Sequence, residues 1–397
     1  MKKNLLFVIP SLSAGGAERS LINLITQIDF NHYNVDLFMF SHKGIFMDLV
    51  PDHVQILPLP DSYHRFIKPL LPSVSQFLRR RNTRLAYSRI MFSYKSRLSK
   101  SVSVNEQEGW KYIARSIDAI DKKYDVAIGF LEKTSIYFCA EKVNAVKKIG
   151  WVHNDYDKLG MNPYFDQAYF AKMDHIVTVS EECGQILKQR FPEQQTKVEV
   201  IHNIVSPKLI NQLADLVQED VYDRKSGEIV ILSIGRLHTQ KGFELSIKAC
   251  RILLDRGFRF QWNIIGEGEE REKLTQLIAM EGLEQNIKLL GLKSNPYPYL
   301  KQADIYVQTS WFEGKAIAID EAKILSKPIV ITNFSTAKDQ IKDGVEGLIV
   351  DLNVDAIAEG ISKLIENEEA RTNLTQYLSS LHLGTEEEIH KVYKIFG

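Results

Sequence analysis

Short apolar runs alternate with amphipathic stretches along the whole chain. LLFVIP, VDLFMF, VQILPL, DVAIGF, KKIGWVH, HIVTVS and VEVIHN have the length and composition of strands in a first half. IVILSIG, QWNIIG, IKLLG, DIYVQTS, PIVIT and GLIV repeat the theme in a second half. Helical patterns such as AERSLINLITQI, ELSIKACRILLDRG and AIAIDEAKILS lie between most of them. Strands that are apolar throughout are buried on both faces, which predicts parallel sheets with helices on each side. Two such series in succession predict an α/β chain of two Rossmann-like, doubly wound domains. The expected divisions are residues 1–205, 206–375 and a C-terminal helical segment, 376–397, that crosses back to the first domain. The strand rhythm breaks at residues 206–227, where SPKLI and the charged QEDVYDRKSGE intervene. Ligands of open α/β sheets bind beyond the carboxyl ends of the strands. A site is therefore expected in a cleft between two facing domains.

A chain of 397 residues is too long for one ordinary core and suits two. Apolar residues make up 44% and charged residues 25%, which fits a soluble enzyme. The formal net charge is zero, so no overall field favours nucleic acid as a partner. Cys139, Cys183 and Cys250 are scattered, which argues against a disulfide framework or a zinc site and for a reducing compartment. The start, MKKNLLFVIPSLSAGG, has an apolar run too short for a signal peptide core and is expected to be a buried strand. No stretch reaches the roughly 20 apolar residues of a membrane span, so a cytoplasmic protein is expected.

The chemistry concentrates in FEGKAIAIDEA, residues 312–322. Glu313 stands on a turn after the strand-like VQTS, Gly314 follows it, and Glu321 lies about two helical turns further on. Backbone N–H groups at such a helix opening suit phosphate, and the two carboxylates suit sugar hydroxyls. A sugar nucleotide has both. In SIGRLHTQKGFELSIKA, Arg236 and Lys241 flank a strand–loop–helix junction and would neutralise a diphosphate. Plain surface residues are the lesser alternative. The GxxxxGK[ST] order of a nucleotide-phosphate P-loop is absent. Gly15 and Gly16 follow the first strand and allow close approach to phosphate or sugar. His153, just past a strand in KKIGWVHNDYD, touches substrate or is structural. IIGEGEER, with Gly266 and Glu267, and GLKSNP, with Leu292, follow strands where a nucleotide edge is expected.

One segment breaks the alternation. From Ser62 to Asn105 there is no acidic residue. Arg65, Lys68, Arg79, Arg80, Arg81, Arg84, Arg89, Lys95, Arg97 and Lys100 lie there, interleaved with Tyr63, Phe66, Phe77, Tyr87, Phe92 and Tyr94. An anionic membrane surface is the expected partner, with Arg79, Arg80, Arg81 and Arg84 facing it. A solvated basic helix pair is the alternative.

Taken together, the chain resembles the retaining glycosyltransferase family 4, of the GT-B fold, in its bacterial surface-polysaccharide type. GRLHTQKGF, IIGEGEE, GLKSN, ADIYVQTSWFEGKAIAIDEA and DGVEGLIV carry the resemblance in the second half. GGAE, WVHND, VTVSE and VIHNIV carry it in the first. The resemblance implies an acceptor-binding first domain and a nucleotide-sugar-binding second domain. It implies that Arg236 and Lys241 hold the donor diphosphate and that Glu313 meets the donor sugar, with the amides of Gly314, Lys315 and Ala316. It puts Glu321 on the ribose, Gly15 and Gly16 near phosphate and acceptor, and His153 near the donor sugar. Lys315 and Ala316 depart from the family's usual aromatic or glycine, and VIHNIVS lacks a usual glycine, so donor preference does not carry over.

The expected reaction moves a hexose-type sugar, from a UDP-sugar first of all, to a lipid-linked or cell-surface glycan such as a capsule or exopolysaccharide precursor. Glu313, Lys241, Arg236 and His153 are the expected catalytic residues. No metal or other cofactor is expected, and the protein would sit peripherally on the inner face of the cytoplasmic membrane. A sugar-nucleotide epimerase and a non-catalytic donor- or lipid-binding partner are the alternatives.

Overall fold

The computed structural model describes residues 2–13, 15–98, 101–217 and 219–397. The first sheet contains β1 (Lys3–Ile9), β2 (Tyr33–Met39), β3 (Val54–Ile56), β4 (Ile120–Phe130), β5 (Val143–Val152), β6 (His175–Thr178) and β7 (Val198–Val200). Their order is β3-β2-β1-β4-β5-β6-β7. The second contains β8 (Ile229–Ile234), β9 (Phe260–Ile265), β10 (Ile287–Gly291), β11 (Ile305–Gln308), β12 (Ile329–Thr332) and β13 (Leu348–Val350), in the order β10-β9-β8-β11-β12-β13. Neighbouring strands pair in parallel in both sheets. In each sheet the order reverses beside the first strand of the series, the arrangement that opens a ligand crevice at the strand carboxyl ends. Leu5–Ile9 of β1 are buried, which is why that run shows no polar alternation, and all six residues of β9 are buried too, its Gln261 and Asn263 satisfied by hydrogen bonds inside the protein.

The chain forms two units. One comprises the N-terminal residues through Leu12, Leu24–Ile201 and His390–Gly397; the other comprises Ser13–Asn23 and His202–Ile389. Each has its own core. In the first, Phe38 stacks on Phe138 at 4.3 Å, with Trp110 and Tyr124 fully buried nearby. In the second, Phe260 and Trp262 of β9 pack with Leu253 and Ile361. Residues His390–Gly397 lie in the first unit, where the Tyr393 ring, on the last helix Glu388–Phe396, stacks on Tyr33 at 5.4 Å and its hydroxyl accepts the Asp29 N–H at 2.9 Å.

Between β3 and β4 stand four helices, Asp61–Phe66, Leu70–Arg79, Thr83–Leu98 and Val102–Ile113. They contain the acid-free stretch Ser62–Asn105, and the structure divides it. Tyr63, Phe66 and Phe77 are interior. So is Arg89, contrary to its expected place on a basic surface. Its guanidinium donates to the Lys68 carbonyl at 2.9 Å and lies 5.7 Å from the Phe66 and Phe92 rings. Burial lowers its pKa. Arg79, Arg80, Arg81 and Arg84 are exposed, and Lys100 lies outside the described residues. No helix among the described residues is long and apolar enough to cross a membrane.

Candidate functional site

The site in the second unit is built on three strand ends. β8 ends at Ile234, and Gly235 follows with the Lys241 side chain lying across it, its Cε 3.1 Å from where a Cβ would stand. Gly242 turns the chain into the helix Phe243–Asp255 with φ +62°; a Cβ there would fall 2.2 Å from the Thr309 carbonyl oxygen. Only glycine meets both demands. The loop after β9 is held as closely: Gly266 N–H donates to the Gly291 carbonyl, and Leu237 N–H to the Glu267 carbonyl, both at 3.0 Å.

Two motifs distant in sequence meet at the Lys241–Glu313 pair. Lys241 Nζ lies 2.6 Å from Glu313 Oε1. The same oxygen accepts from Ser310 Oγ at 2.6 Å and Gln308 Nε2 at 3.0 Å. Oε2 receives one longer bond, from Gln240 Nε2 at 3.4 Å. Glu313 is buried, so these donors compensate a charge that would otherwise be costly. One oxygen is saturated, while the other retains acceptor capacity. Thr336 Oγ1 donates to the Glu313 carbonyl at 3.1 Å and fixes the turn from below.

After the turn the helix Ile317–Ile324 begins. The Ala316 N–H is taken by Gln340 Oε1 at 2.9 Å, so of the three amides expected to meet a ligand this one is occupied within the protein. The Lys315 ammonium lies 3.8 Å from Asp320. Glu321 is buried one face round the helix and accepts the Tyr297 hydroxyl at 2.7 Å. Burial raises its pKa, opposed by the Arg19 charge and the Tyr297 hydrogen bond.

Gly15 and Gly16 belong to this unit with the start of the helix Gly16–Thr26. Arg19 rests over the Tyr297 ring at 5.5 Å and donates to the Ser294 carbonyl at 3.3 Å, in the GLKSNP turn. Ser20 donates to Asn203 Oδ1 at 2.7 Å, and Asn203 Nδ2 lies 3.5 Å from the Lys315 carbonyl. Arg19, Ser20, Asn203, Tyr297, Gln240 and Gln308 were not singled out from sequence. Their signal is tertiary, apart from the Arg that follows GGAE.

The remaining expected residues divide. Arg236 is exposed, next to the loop held by Gly235 and Gly266. Glu267 pairs with Arg271 at 2.7 Å, and Leu292 is exposed. His153 belongs to the first unit, at the carboxyl end of β5, between the Phe130 ring at 4.6 Å and Trp151 at 6.2 Å. Its backbone N–H donates to Glu132 at 3.0 Å, while its Nε2 is buried without a hydrogen-bond partner. Burial holds its pKa down at about 3, so the ring is neutral at pH 7.

The second unit thus gathers a positive side chain at a strand–loop–helix junction, a buried carboxylate joined to it and a helix opening. Residues 217–379 match the family model for glycosyl transferases group 1. An uncharacterized glycosyltransferase of Methanocaldococcus jannaschii is 29% identical over 50% of this chain and 51% of its own length, so the match spans about half of either protein. The Campylobacter jejuni N-acetylgalactosamine-N,N'-diacetylbacillosaminyl-diphospho-undecaprenol 4-alpha-N-acetylgalactosaminyltransferase is 24% identical over 91% of this chain and 90% of its length. Among solved structures, Anabaena HepE in complex with UDP-glucose superposes with a TM-score of 0.71, at 17% identity over 99% of this chain and 98% of that one. A point mutant of S. aureus TarM, in complex with fondaparinux, alpha-GlcNAc-glycerol and UDP, gives 0.68 at 16% identity over the whole of both chains. The two parallel-sheet α/β domains are those of the GT-B fold.

Proposed function

We propose, on the match of residues 217–379 to the glycosyl transferases group 1 model, that this chain is a glycosyltransferase of that group and transfers a hexose-type sugar from a nucleoside-diphosphate donor to a glycan hydroxyl, with retention of anomeric configuration. The observation that carries the reading is the Lys241–Glu313 pair at 2.6 Å. Lys241 and the exposed Arg236 take the donor diphosphate, in the part a divalent cation plays elsewhere, and no metal enters the reading. Glu313 orients Lys241 through Oε1 and receives a sugar hydroxyl on Oε2. Glu321, held by Tyr297, receives the ribose. His153, neutral at pH 7, offers a hydrogen bond without adding charge.

Charge grows on the departing diphosphate as its bond to the sugar's anomeric carbon breaks. Cations fixed beside that oxygen stabilise the transition state more than the ground state. The acceptor oxygen attacks on the same face, and its proton passes to the leaving phosphate. UDP is the first nucleotide to test, since two of the structural neighbours above were crystallised with UDP or UDP-glucose. A lipid-linked acceptor, used at the inner face of the cytoplasmic membrane, is favoured by the Campylobacter relative, whose name specifies a diphospho-undecaprenol substrate. The test is donor turnover: wild type releases nucleoside diphosphate from one sugar nucleotide when acceptor is added, and Lys241→Ala does not. Free epimer formed from donor alone would replace this reading with an isomerase.

A further inference from the structure

The Thr83–Leu98 helix has a buried side and, opposite it, an exposed side lined with apolar residues. Leu85, Ala86 and Arg89 are buried against the first unit. Leu85 and Ala86, with Phe66 and Phe77, form a small core cluster there, and Phe92 packs against it. On the other side Tyr87, Ile90, Tyr94 and Leu98 are 58%, 46%, 57% and 60% exposed. Their spacing of three, four and four residues makes one continuous stripe. Here one side has no protein cover among the described residues.

The stripe does not stand alone. Among the described residues, eight of the 18 exposed large apolar side chains lie within residues 67–102, a small part of the 397-residue chain, so the exposure is concentrated. Leu71 and Leu78, seven apart on the Leu70–Arg79 helix, add a second exposed pair. The turn joining the two helices carries Arg80 and Arg81, with Arg79 and Arg84 at its edges, all exposed. No carboxylate lies anywhere between Ser62 and Asn105 to neutralise them. Tyrosines and leucines on one face, with arginines at its end and no acids, match the boundary between headgroups and acyl chains. A protein partner of ordinary composition would leave four arginines to be paired. A lipid surface of negative charge pairs them all and takes the apolar stripe as well.

We propose that the outward face of the Thr83–Leu98 helix, with the Arg79–Arg84 turn, is a membrane-docking surface: Tyr87, Ile90, Tyr94 and Leu98 enter the headgroup–acyl boundary of an anionic bilayer, and the arginines bind its phosphates. Two signals act together, since neither a weak apolar contact nor a short basic cluster anchors a protein stably by itself. The surface brings the chain to the compartment where a lipid-linked acceptor resides, yet its existence does not depend on the transfer reading.

The experiment is flotation of the purified full chain with vesicles of phosphatidylcholine alone or mixed equally with phosphatidylglycerol, without donor or acceptor. Wild type floats with the mixed vesicles and stays behind with phosphatidylcholine. Ile90→Ser with Tyr94→Ser lowers partitioning about tenfold or more at low and at high salt. Arg80→Gln with Arg81→Gln weakens it chiefly at low salt. Both variants keep the wild-type melting profile, because the substituted side chains are exposed. Three results overturn the proposal: failure of wild type to bind mixed vesicles, binding unchanged by the serine pair, or sedimentation as a dimer that the serine pair dissociates. The last would make the face a contact between two copies. Because no sugar is transferred in this assay, loss of binding with donor turnover intact would leave the proposed function standing.

Discussion

At the scale of single residues, the proposed reaction makes the Lys241–Glu313 pair a link between stability and chemistry. Removing the cation leaves a buried carboxylate with Ser310, Gln308 and Gln240 as its remaining donors. Lys241→Met is therefore expected to lower turnover by about 10²–10³, the size of losing one fixed donor to a growing oxyanion, and to lower the melting temperature. Glu313→Gln added to it restores part of the stability by removing the orphaned charge, without restoring turnover. A double-mutant cycle by urea unfolding reads the coupling, expected within about 0.5–3 kcal/mol. His153 gives a second prediction. Its folded pKa, held by burial at about 3, lies below the ordinary 6.5. The unfolded chain then binds the extra proton first, so stability is fully present above pH 6.5 and falls as pH drops from there toward 3. The slope from this group is at most about 1.4 kcal/mol per pH unit. His153→Gln is expected to flatten that part of the stability–pH curve, measured by chemical denaturation.

At the scale of elements, the loops after the strands are fixed by close backbone approaches, and those make firm predictions. Gly242→Ala sets a Cβ 2.2 Å from the Thr309 oxygen at φ +62°. It should destabilise the second unit by more than about 1 kcal/mol and weaken nucleotide binding, seen together by calorimetry with and without UDP. The strands themselves were legible in the sequence because burial on both faces writes an uninterrupted apolar run. LLFVIP, for example, falls in β1, which is buried from Leu5 to Ile9. β4 was less so. It starts at Ile120, five residues before DVAIGF, through an exposed stretch that carries no apolar run. There Tyr124 and Lys122 both bond Asp36 of β2, the lysine at 2.8 Å, a partnership 86 residues apart that local pattern cannot show. Arg89 was misread for a similar reason: a buried arginine looks like an exposed one until its carbonyl and ring partners are in place. Glu313, Lys241 and Glu321 could be picked out because carboxylates, cations and glycines at strand ends are conspicuous. Gln240 and Gln308, which complete the Glu313 environment, are not. Nor was it evident that Ser13–Asn23 would fold with the second unit through Arg19 and Ser20.

At the scale of the whole molecule, two units with separate cores should not melt as one. Two transitions are expected in calorimetry. UDP at about 100 times its Kd should stabilise the second unit by about 2.7 kcal/mol and raise the transition that unit dominates. Deletion of residues 390–397 removes the Tyr393–Tyr33 stack and should lower the other transition. The central claim concerns what the second unit does with a bound sugar nucleotide. Its most direct test is nucleoside diphosphate release from a panel of sugar nucleotides, with and without lipid-linked acceptor, for wild type and Lys241→Ala. The account predicts release from one donor, stimulated by acceptor and abolished in the variant. Release undiminished by Lys241→Ala, or epimer appearing without release, would contradict it.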